Sequence, residues 1–366
     1  MHAPSVGEGL QARPVLTLMR SRRPDVQLAY TFFSPSAEEF SRAMDVDFRD
    51  YLPFDSASQM GAALDALRPR ALVFSKLDVW PELTRQARRR NVRLGMISAT
   101  LGATSGRMSR AANWLLRDAY ETLDAVGAVD ASDAERLVQL GVRAGVIEVT
   151  GDTRFDQVWQ RAESVDRESR LQSHLASDRP TLVAGSTWPS DESPLFEAFT
   201  QTRAHVPSLR LIIAPHELTD EHLTSIEQWA SHNRLTVARV DEASGTADVV
   251  LVDRFGVLGE LYALADAAFV GGGFHDAGLH SVLEPAAFGA PVAFGPRHAR
   301  SRDAVMLLGV GGARAVKDAV ELSRVLLDWL QNSDVLGKAG ANAKSAVERG
   351  RGAADRSLTL VERLLA

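Results

Sequence analysis

Three short stretches place reactive side chains beside backbone that a ligand can approach. The first is His2-Ala3-Pro4-Ser5-Val6-Gly7-Glu8-Gly9. Its small residues let a loop come close to a ligand. A carboxylate at Glu8, facing a cleft from the C-terminal edge of a sheet, suits a general base that takes a proton from a hydroxyl. The same position equally suits a glutamate that balances a helix dipole. The second stretch, Ala184-Gly185-Ser186-Thr187-Trp188, lies between a strand and a helix beginning near Asp191. Ser186 and Thr187 can cap that helix, and the free N–H groups of such a turn face any bound phosphate. The third is Val270-Gly271-Gly272-Gly273-Phe274, followed by His280-Ser281-Val282-Leu283-Glu284-Pro285. Gly272 and Gly273 permit a tight turn. His280 and Glu284 are one helical turn apart and share a face, and a carboxylate at Glu284 can accept hydrogen bonds from both hydroxyls of a ribose. A plain glycine turn with a solvated His–Glu pair is the other reading. The glycine run lacks the G-x-G-x-x-G spacing of dinucleotide folds.

Other candidates carry less. His216-Glu217 and His222 do not make H-E-x-x-H, because the second histidine comes six residues after the first. Asp45-Val46-Asp47 has no further ligands around it to complete a metal site, and Gly309, Gly311 and Gly312 read as a turn.

The elements that must position these residues alternate short β-branched runs with amphipathic helices, as parallel α/β sheets require. Strands are expected at 27–33, 71–74, 93–98, 125–129 and 146–149. Helices are expected at 82–90 and 107–119, and a polar helical linker at 157–178. The pattern restarts at 181–184 and continues through 209–213, 236–239, 249–252, 267–270 and 291–294. Helices near 320–332 and 354–366 close the chain. Two such units of about 150 residues each predict two lobes with the ligand between them. No strand precedes the loop at 2–9, where a parallel fold needs one, so a start upstream of Met1 is expected.

Bulk properties narrow the class. The 366 residues are 45% hydrophobic and 24% charged, with no cysteine, which rules out disulfides and thiolate metal sites. No run of about 18 uncharged apolar residues is present to span a bilayer, and His2, Glu8 and Arg13 interrupt any signal-peptide core. The net charge of -6 is uneven: residues 1–117 hold 17 Lys/Arg against 11 Asp/Glu. Arg20, Arg22 and Arg23, and then Arg85, Arg88, Arg89 and Arg90, concentrate that excess. A positive first lobe favours an anionic partner such as a phosphorylated lipid or an acidic membrane surface, though the same arginines suit solvated helix C-termini. Nucleic acid is disfavoured, because no aromatics interleave with the clusters.

Together the segments resemble the Kdo transferases, which move 3-deoxy-D-manno-oct-2-ulosonic acid (Kdo) from its CMP donor onto a lipid A precursor. The carriers are H-A-P-S-V-G-E at 2–8, D-V-W-P at 78–81, T-G-D-T-R-F-D at 150–156, A-G-S-T-W at 184–188, G-E-L-Y-A-L-A-D-A-A-F-V-G-G-G at 259–273 and H-S-V-L-E-P-A-A-F-G-A-P-V-A-F-G-P at 280–296. The resemblance covers nearly the whole chain. It implies a GT-B fold of two Rossmann-like, doubly wound α/β domains facing each other across a cleft. The acceptor-side domain would be 1–156 without its first strand, the linker 157–178 and the nucleotide-sugar domain 179–350. The helix at 351–366 would cross back to the first domain. It further implies an inverting, metal-independent transfer with no cofactor, on the cytoplasmic face of the inner membrane as a peripheral protein. Glu8 maps to the base, Asp78 to the acid of the W-P motif and Arg154 to the basic residue of the R-F-D motif. Ser186, Thr187, Gly272, Gly273, His280, Ser281 and Glu284 map to the donor side, and Lys76 with Arg154 would meet the sugar acid. The departures are Lys76, where many members carry glutamate, and Pro215-His216-Glu217-Leu218 in place of R-H-P-E-R. A UDP-N-acetylglucosamine 2-epimerase-type isomerase, which shares the architecture, and a catalytically silent nucleotide-binding scaffold are the alternatives.

Overall fold

The computed structural model describes residues 1–102 and 105–366. The chain divides into two compact units, Met1–Gln157 with Gly350–Ala366, and Val158–Arg349.

The first unit alternates α1 (Val6–Arg22), β1 (Ala29–Phe32), α2 (Ser36–Arg42), β2 (Phe48–Tyr51), α3 (Ala57–Leu67), β3 (Ala71–Ser75), α4 (Pro81–Arg89), β4 (Arg93–Ala99), α5 (Arg110–Glu121), β5 (Ala125–Ala128), α6 (Ala131–Gln139) and β6 (Ile147–Val149). β1 pairs with β2, and β3, β4, β5 and β6 form a second run, every pair parallel. Among the described residues no strand stands ahead of α1. Instead His2 forms isolated parallel bridges to Thr31 on one side and Phe74 on the other. Its N–H reaches the Val73 carbonyl at 2.8 Å, its carbonyl accepts from Ser75 at 3.0 Å, and Ala3 N–H reaches Thr31 at 3.0 Å. A few residues thus zip β1 to β3, and the chain turns into α1 at the point where strand order reverses. That is where open α/β sheets leave room for a ligand. Gly9 lets α1 pass this close: a Cβ there would lie 2.5 Å from the Phe40 ring and 2.7 Å from the Tyr30 hydroxyl.

α7 (Arg154–Ser164) and α8 (Arg170–Leu175) lead to β7 (Thr181–Thr187), α9 (Pro189–Arg203), β8 (Arg210–Pro215), α10 (Asp220–His232), β9 (Val237–Arg239), β10 (Val249–Leu251), α11 (Leu258–Leu261), β11 (Ala267–Val270), α12 (Leu283–Phe288), β12 (Val292–Phe294), α13 (Arg302–Val310), β13 (Ala313–Ala315), α14 (Ala319–Gln331) and α15 (Ser333–Gly350). These strands make one parallel sheet in the order β13-β12-β11-β7-β8-β10-β9. β7, β8, β10 and β11 are almost wholly buried apolar runs, as strands covered by helices on both faces must be. The order reverses between β7 and β11, and this unit's two candidate loops leave the sheet there.

α16 (Ala353–Leu365) belongs to the first unit. Leu358, Leu360, Val361 and Leu364 are buried in the same core as α1 and β1. Gly95 of β4 leaves room for Leu364, whose Cδ1 would lie 2.5 Å from a Cβ there. Asp156 caps the start of α16, accepting from Gly352 N–H at 2.7 Å and Ala354 N–H at 2.9 Å.

Several elements differ from the sequence expectation. The helix expected from 107 begins at Arg110, because Ser109 caps it by accepting from Ala112 N–H and a short 3-10 turn occupies Gly106–Met108. Three helices, not two, follow β13, with α15 added between the expected pair. The edge strands β2 and β13 are additions to the expected set.

The arginine clusters are largely neutralised where they stand. Arg20 pairs with Asp45 and Asp47, Arg22 with Asp355, Arg23 with Asp25, Arg85 with Glu82, Arg88 with Asp124 and Arg90 with Asp65. Asp45 and Asp47 are therefore engaged by Arg20 and, for Asp47, also by the Leu28 N–H at 2.7 Å. Among the described residues no helix is long and apolar enough to cross a membrane.

Candidate active site

In the first unit the candidate residues lie at the C-terminal ends of parallel strands and at the start of α1. Ser5 holds extended backbone geometry at the N-cap of α1, yet its hydroxyl goes to the Glu8 carboxylate rather than to backbone. The other carboxylate oxygen of Glu8 faces Lys76 Nζ at 3.3 Å, and the Ser75 hydroxyl donates to the Glu8 carbonyl at 2.8 Å. Glu8 itself is buried. Burial alone would push its carboxyl up, but the Ser5 hydroxyl and the Lys76 ammonium outweigh burial and hold it below the usual glutamate range. Lys76 reaches this place from a left-handed backbone, φ 68°, just past β3, with its N–H on the Ile97 carbonyl. A lysine in that conformation is strained, and such strain concentrates at functional sites.

Asp78 pairs with Arg107, which also donates to the Leu77 carbonyl at 2.8 Å and the Tyr120 hydroxyl at 3.1 Å. Both side chains are about one-third exposed, so this acid is fixed in place and still open to solvent. Arg154 lies against Asp152, with Nε to Oδ2 at 2.9 Å. The neighbouring Thr153 hydroxyl donates to the Gln11 carbonyl at 2.7 Å, tying this turn to α1 one turn beyond Glu8. Much of the T-G-D-T-R-F-D segment is thus structural, since Thr153 grips α1 and Asp156 grips α16.

In the second unit the two candidate loops are joined by a carboxylate that the sequence reading passes over. Asp191, fully buried in the first turn of α9, accepts from Trp188 N–H at 3.0 Å, Gly272 N–H at 2.7 Å and Phe274 N–H at 2.8 Å. The N–H groups of Gly272 and Phe274 are consequently turned inward. Where the side chains of Gly271, Gly272 and Gly273 would be, backbone of Ser186, Gly278 and Gly295 fills the space. Ser186 has φ 54° at a bulge in the β7–β8 register, which leaves its backbone in the left-handed region.

Thr187, buried, donates to Glu192 at 2.8 Å, and Glu192 meets His222 Nε2 at 2.9 Å. Trp188 stacks on His275 (centroids 4.2 Å, 5° between planes), lies 4.4 Å from His216, and donates Nε1–H to His280 Nε2 at 3.2 Å. Accepting that bond requires an unprotonated Nε2, and burial, with His216 nearby, pushes His280 below its ordinary value. Ser281 is exposed beside it. α12 begins only at Leu283, so His280 lies in the loop ahead of it and does not share a helix face with Glu284 as the sequence spacing predicts. Glu284 stands in the first turn of α12, and burial pushes its carboxyl up against the opposing charge of Arg161. Among the described residues no group of three or more His, Asp or Glu is arranged to hold a metal ion.

Of the candidates in the first unit, the structure joins Glu8 to Lys76, while Asp78 is held by Arg107 and Arg154 by Asp152. In the second, Ser186 and Thr187 end β7, Gly272 and Gly273 follow β11, and His280, Ser281 and Glu284 lie on the loop and first turn leading through α12. The sequence reading gives Asp191 no role beyond marking a helix start, sets His222 aside as a metal ligand and leaves Glu192 unmarked, although an acid three residues past the N-cap Trp188 is a recognisable capping position.

Residues 1–157 match a family of proteins described as 3-deoxy-D-manno-octulosonic-acid transferases. Across the full chain, a 3-deoxy-D-manno-octulosonic acid transferase of Bordetella pertussis is 31% identical over 346 residues, covering 90% of this chain and 77% of the relative. The chain belongs to the Kdo transferase family. A Kdo transferase of Haemophilus influenzae is 26% identical and covers 99% of this chain and 86% of its own length. Among solved structures, UDP-GlcNAc 2-epimerase from Neisseria meningitidis bound to UDP-GlcNAc superposes with a TM-score of 0.72 at 13% identity, over 100% of this chain and 98% of that one. That likeness gives the fold, and this Kdo transferase family member has the α/β architecture of the GT-B class.

Proposed function

We propose that the chain transfers Kdo from CMP-Kdo to a hydroxyl of a phosphorylated lipid A precursor, with inversion at the anomeric carbon and Glu8 as general base. The observation that carries this reading is the Glu8 carboxylate, held between the Ser5 hydroxyl and the Lys76 ammonium at the point where strand order reverses in the first unit, in a member of this family. In the step proposed, Glu8 takes the acceptor's hydroxyl proton and the freed oxygen forms the new bond to the anomeric carbon. The bond from that carbon to the CMP phosphate breaks with its electron pair going to CMP. Asp78 and Arg154 complete the catalytic set, with Arg154 meeting the carboxylate of the sugar acid. On the donor side Glu284 accepts from the ribose hydroxyls. The turn at Ser186-Thr187, with His280 and Ser281, receives the nucleotide phosphate, while Gly272 and Gly273 shape the neighbouring loop, Gly272 N–H being committed to Asp191. A single phosphate leaving group calls for cations and helix N-termini and does not require a divalent ion to bridge a pyrophosphate.

We also propose peripheral contact with the inner, anionic membrane surface. Trp114 and Leu115 on α5 are 82% and 65% exposed, and the first 117 residues carry excess positive charge.

The test is CMP release from CMP-Kdo with and without lipid A precursor. Acceptor-dependent release is expected, and Glu8→Gln should keep CMP affinity within about twofold while lowering turnover at least about 100-fold. Glu8→Gln turnover within about tenfold of the parent would remove Glu8 from the role of base. Turnover of a UDP-sugar with no acceptor would favour the isomerase reading.

A further inference from the structure

We propose that Lys76 is a positioning residue that acts through Glu8: its ammonium is the resting counter-ion of the carboxylate, and the acceptor hydroxyl gains Oε1 by displacing it. This rests on the reading of Glu8 as the base. Both carboxylate oxygens are occupied, Oε2 by the Ser5 hydroxyl and Oε1 by Lys76 Nζ at 3.3 Å. The two partners are not equally held. Ser5 is three residues from Glu8 on the same turn, so it moves with the carboxylate. The Lys76 side chain is 43% exposed on a flexible stem and reaches Glu8 across 68 residues of sequence. It is the partner that can leave. The left-handed backbone at Lys76, φ 68°, is a conformation that a β-carbon disfavours, and it accompanies a side chain aimed back toward α1.

The other titratable groups that feel Glu8 come from the two flanking segments. His2, ahead of α1, is pushed by burial to about 3 and is neutral. Tyr30, from β1, is pushed up by burial and then by Glu8, and is also neutral. Removing the Lys76 charge therefore leaves the burial of Glu8 opposed by Ser5 and the backbone alone, and its proton is lost at higher pH.

The experiment is the pH dependence of kcat/KM for the parent, Lys76→Met, Lys76→Gly and Lys76→Arg, with Glu8→Gln as control. Lys76→Gly removes the charge while relaxing the backbone, so it guards against a merely misfolded Lys76→Met. In both neutral variants the acid limb is expected to move up by about one pH unit, and in Lys76→Arg to stay near the parent. The pair is partly solvated, so raising salt should move the parent's acid limb the same way and leave Lys76→Met unmoved. An acid limb unmoved in both neutral variants overturns the proposal. So does a raised donor KM with an unmoved limb, which would put Lys76 on the sugar acid instead. Retained turnover in Glu8→Gln would instead overturn the underlying assignment of the base, a result separable from the other two.

Discussion

Ionising Glu284 works against its surroundings. Burial raises its carboxyl above the usual range, and Arg161 offsets only part of that effect. Two ribose hydroxyls donating to it would favour the ionised form, so CMP affinity should weaken as pH falls through the raised value and level off above it. Glu284→Gln should bind CMP about tenfold or more weakly and with little pH dependence, since hydrogen bonds to charged groups are worth roughly 1.5–3 kcal/mol. Calorimetric titration between about pH 5 and 8 reads this directly. An affinity unchanged by the substitution would count against the ribose role. Burial and the neighbouring His216 likewise favour the unprotonated form of His280, the form that accepts from Trp188.

The two loops of the second unit hold their shape through α9, because its first turn supplies Asp191. Replacing Asp191 with Ala would strand the N–H groups of Trp188, Gly272 and Phe274. With roughly 1 kcal/mol or more lost per unpaired buried donor, about 3 kcal/mol of stability should go, or about 5–10 °C in Tm. CMP affinity should fall with it, and a variant with unchanged melting and unchanged CMP binding would refute the clamp. Much of this scale is legible in the sequence. The buried parallel strands β7, β8, β10 and β11 read as apolar runs because helices cover both faces. β2 does not, since Phe48-Arg49-Asp50-Tyr51 is exposed along its whole length and lacks an alternating face. β13, three residues at the far edge, carries too little pattern to read. Glycines and hydroxyl residues at strand ends mark the candidate loops. Their physical partners leave no such mark, because Asp191 meets Gly272 across 81 residues and Lys76 meets Glu8 across 68, and no local periodicity encodes such distances. The glycine triplet reads in the sequence as an approach for ligand, whereas protein backbone fills the space beside each one.

For the molecule as a whole, the uneven charge matters less than the first 117 residues suggest, because the rest of the first unit brings it to 23 Lys/Arg against 22 Asp/Glu, and ion pairs worth under about 1 kcal/mol each engage most of the clustered arginines. Membrane attraction should therefore depend on apolar insertion as well as charge. Cosedimentation with anionic phospholipid vesicles is expected, weakened several-fold by Trp114→Ala with Leu115→Ser and by added salt; equal recovery on neutral vesicles would refute the anionic preference. α16 carries a consequence for biosynthesis. Leu358, Leu360 and Leu364 cover apolar surface on α1, β1 and β4, and that surface is made early. Its cover emerges from the ribosome only after the whole second unit has been translated. Nascent chains should leave that greasy seam open for most of their synthesis, a natural target for a holding chaperone.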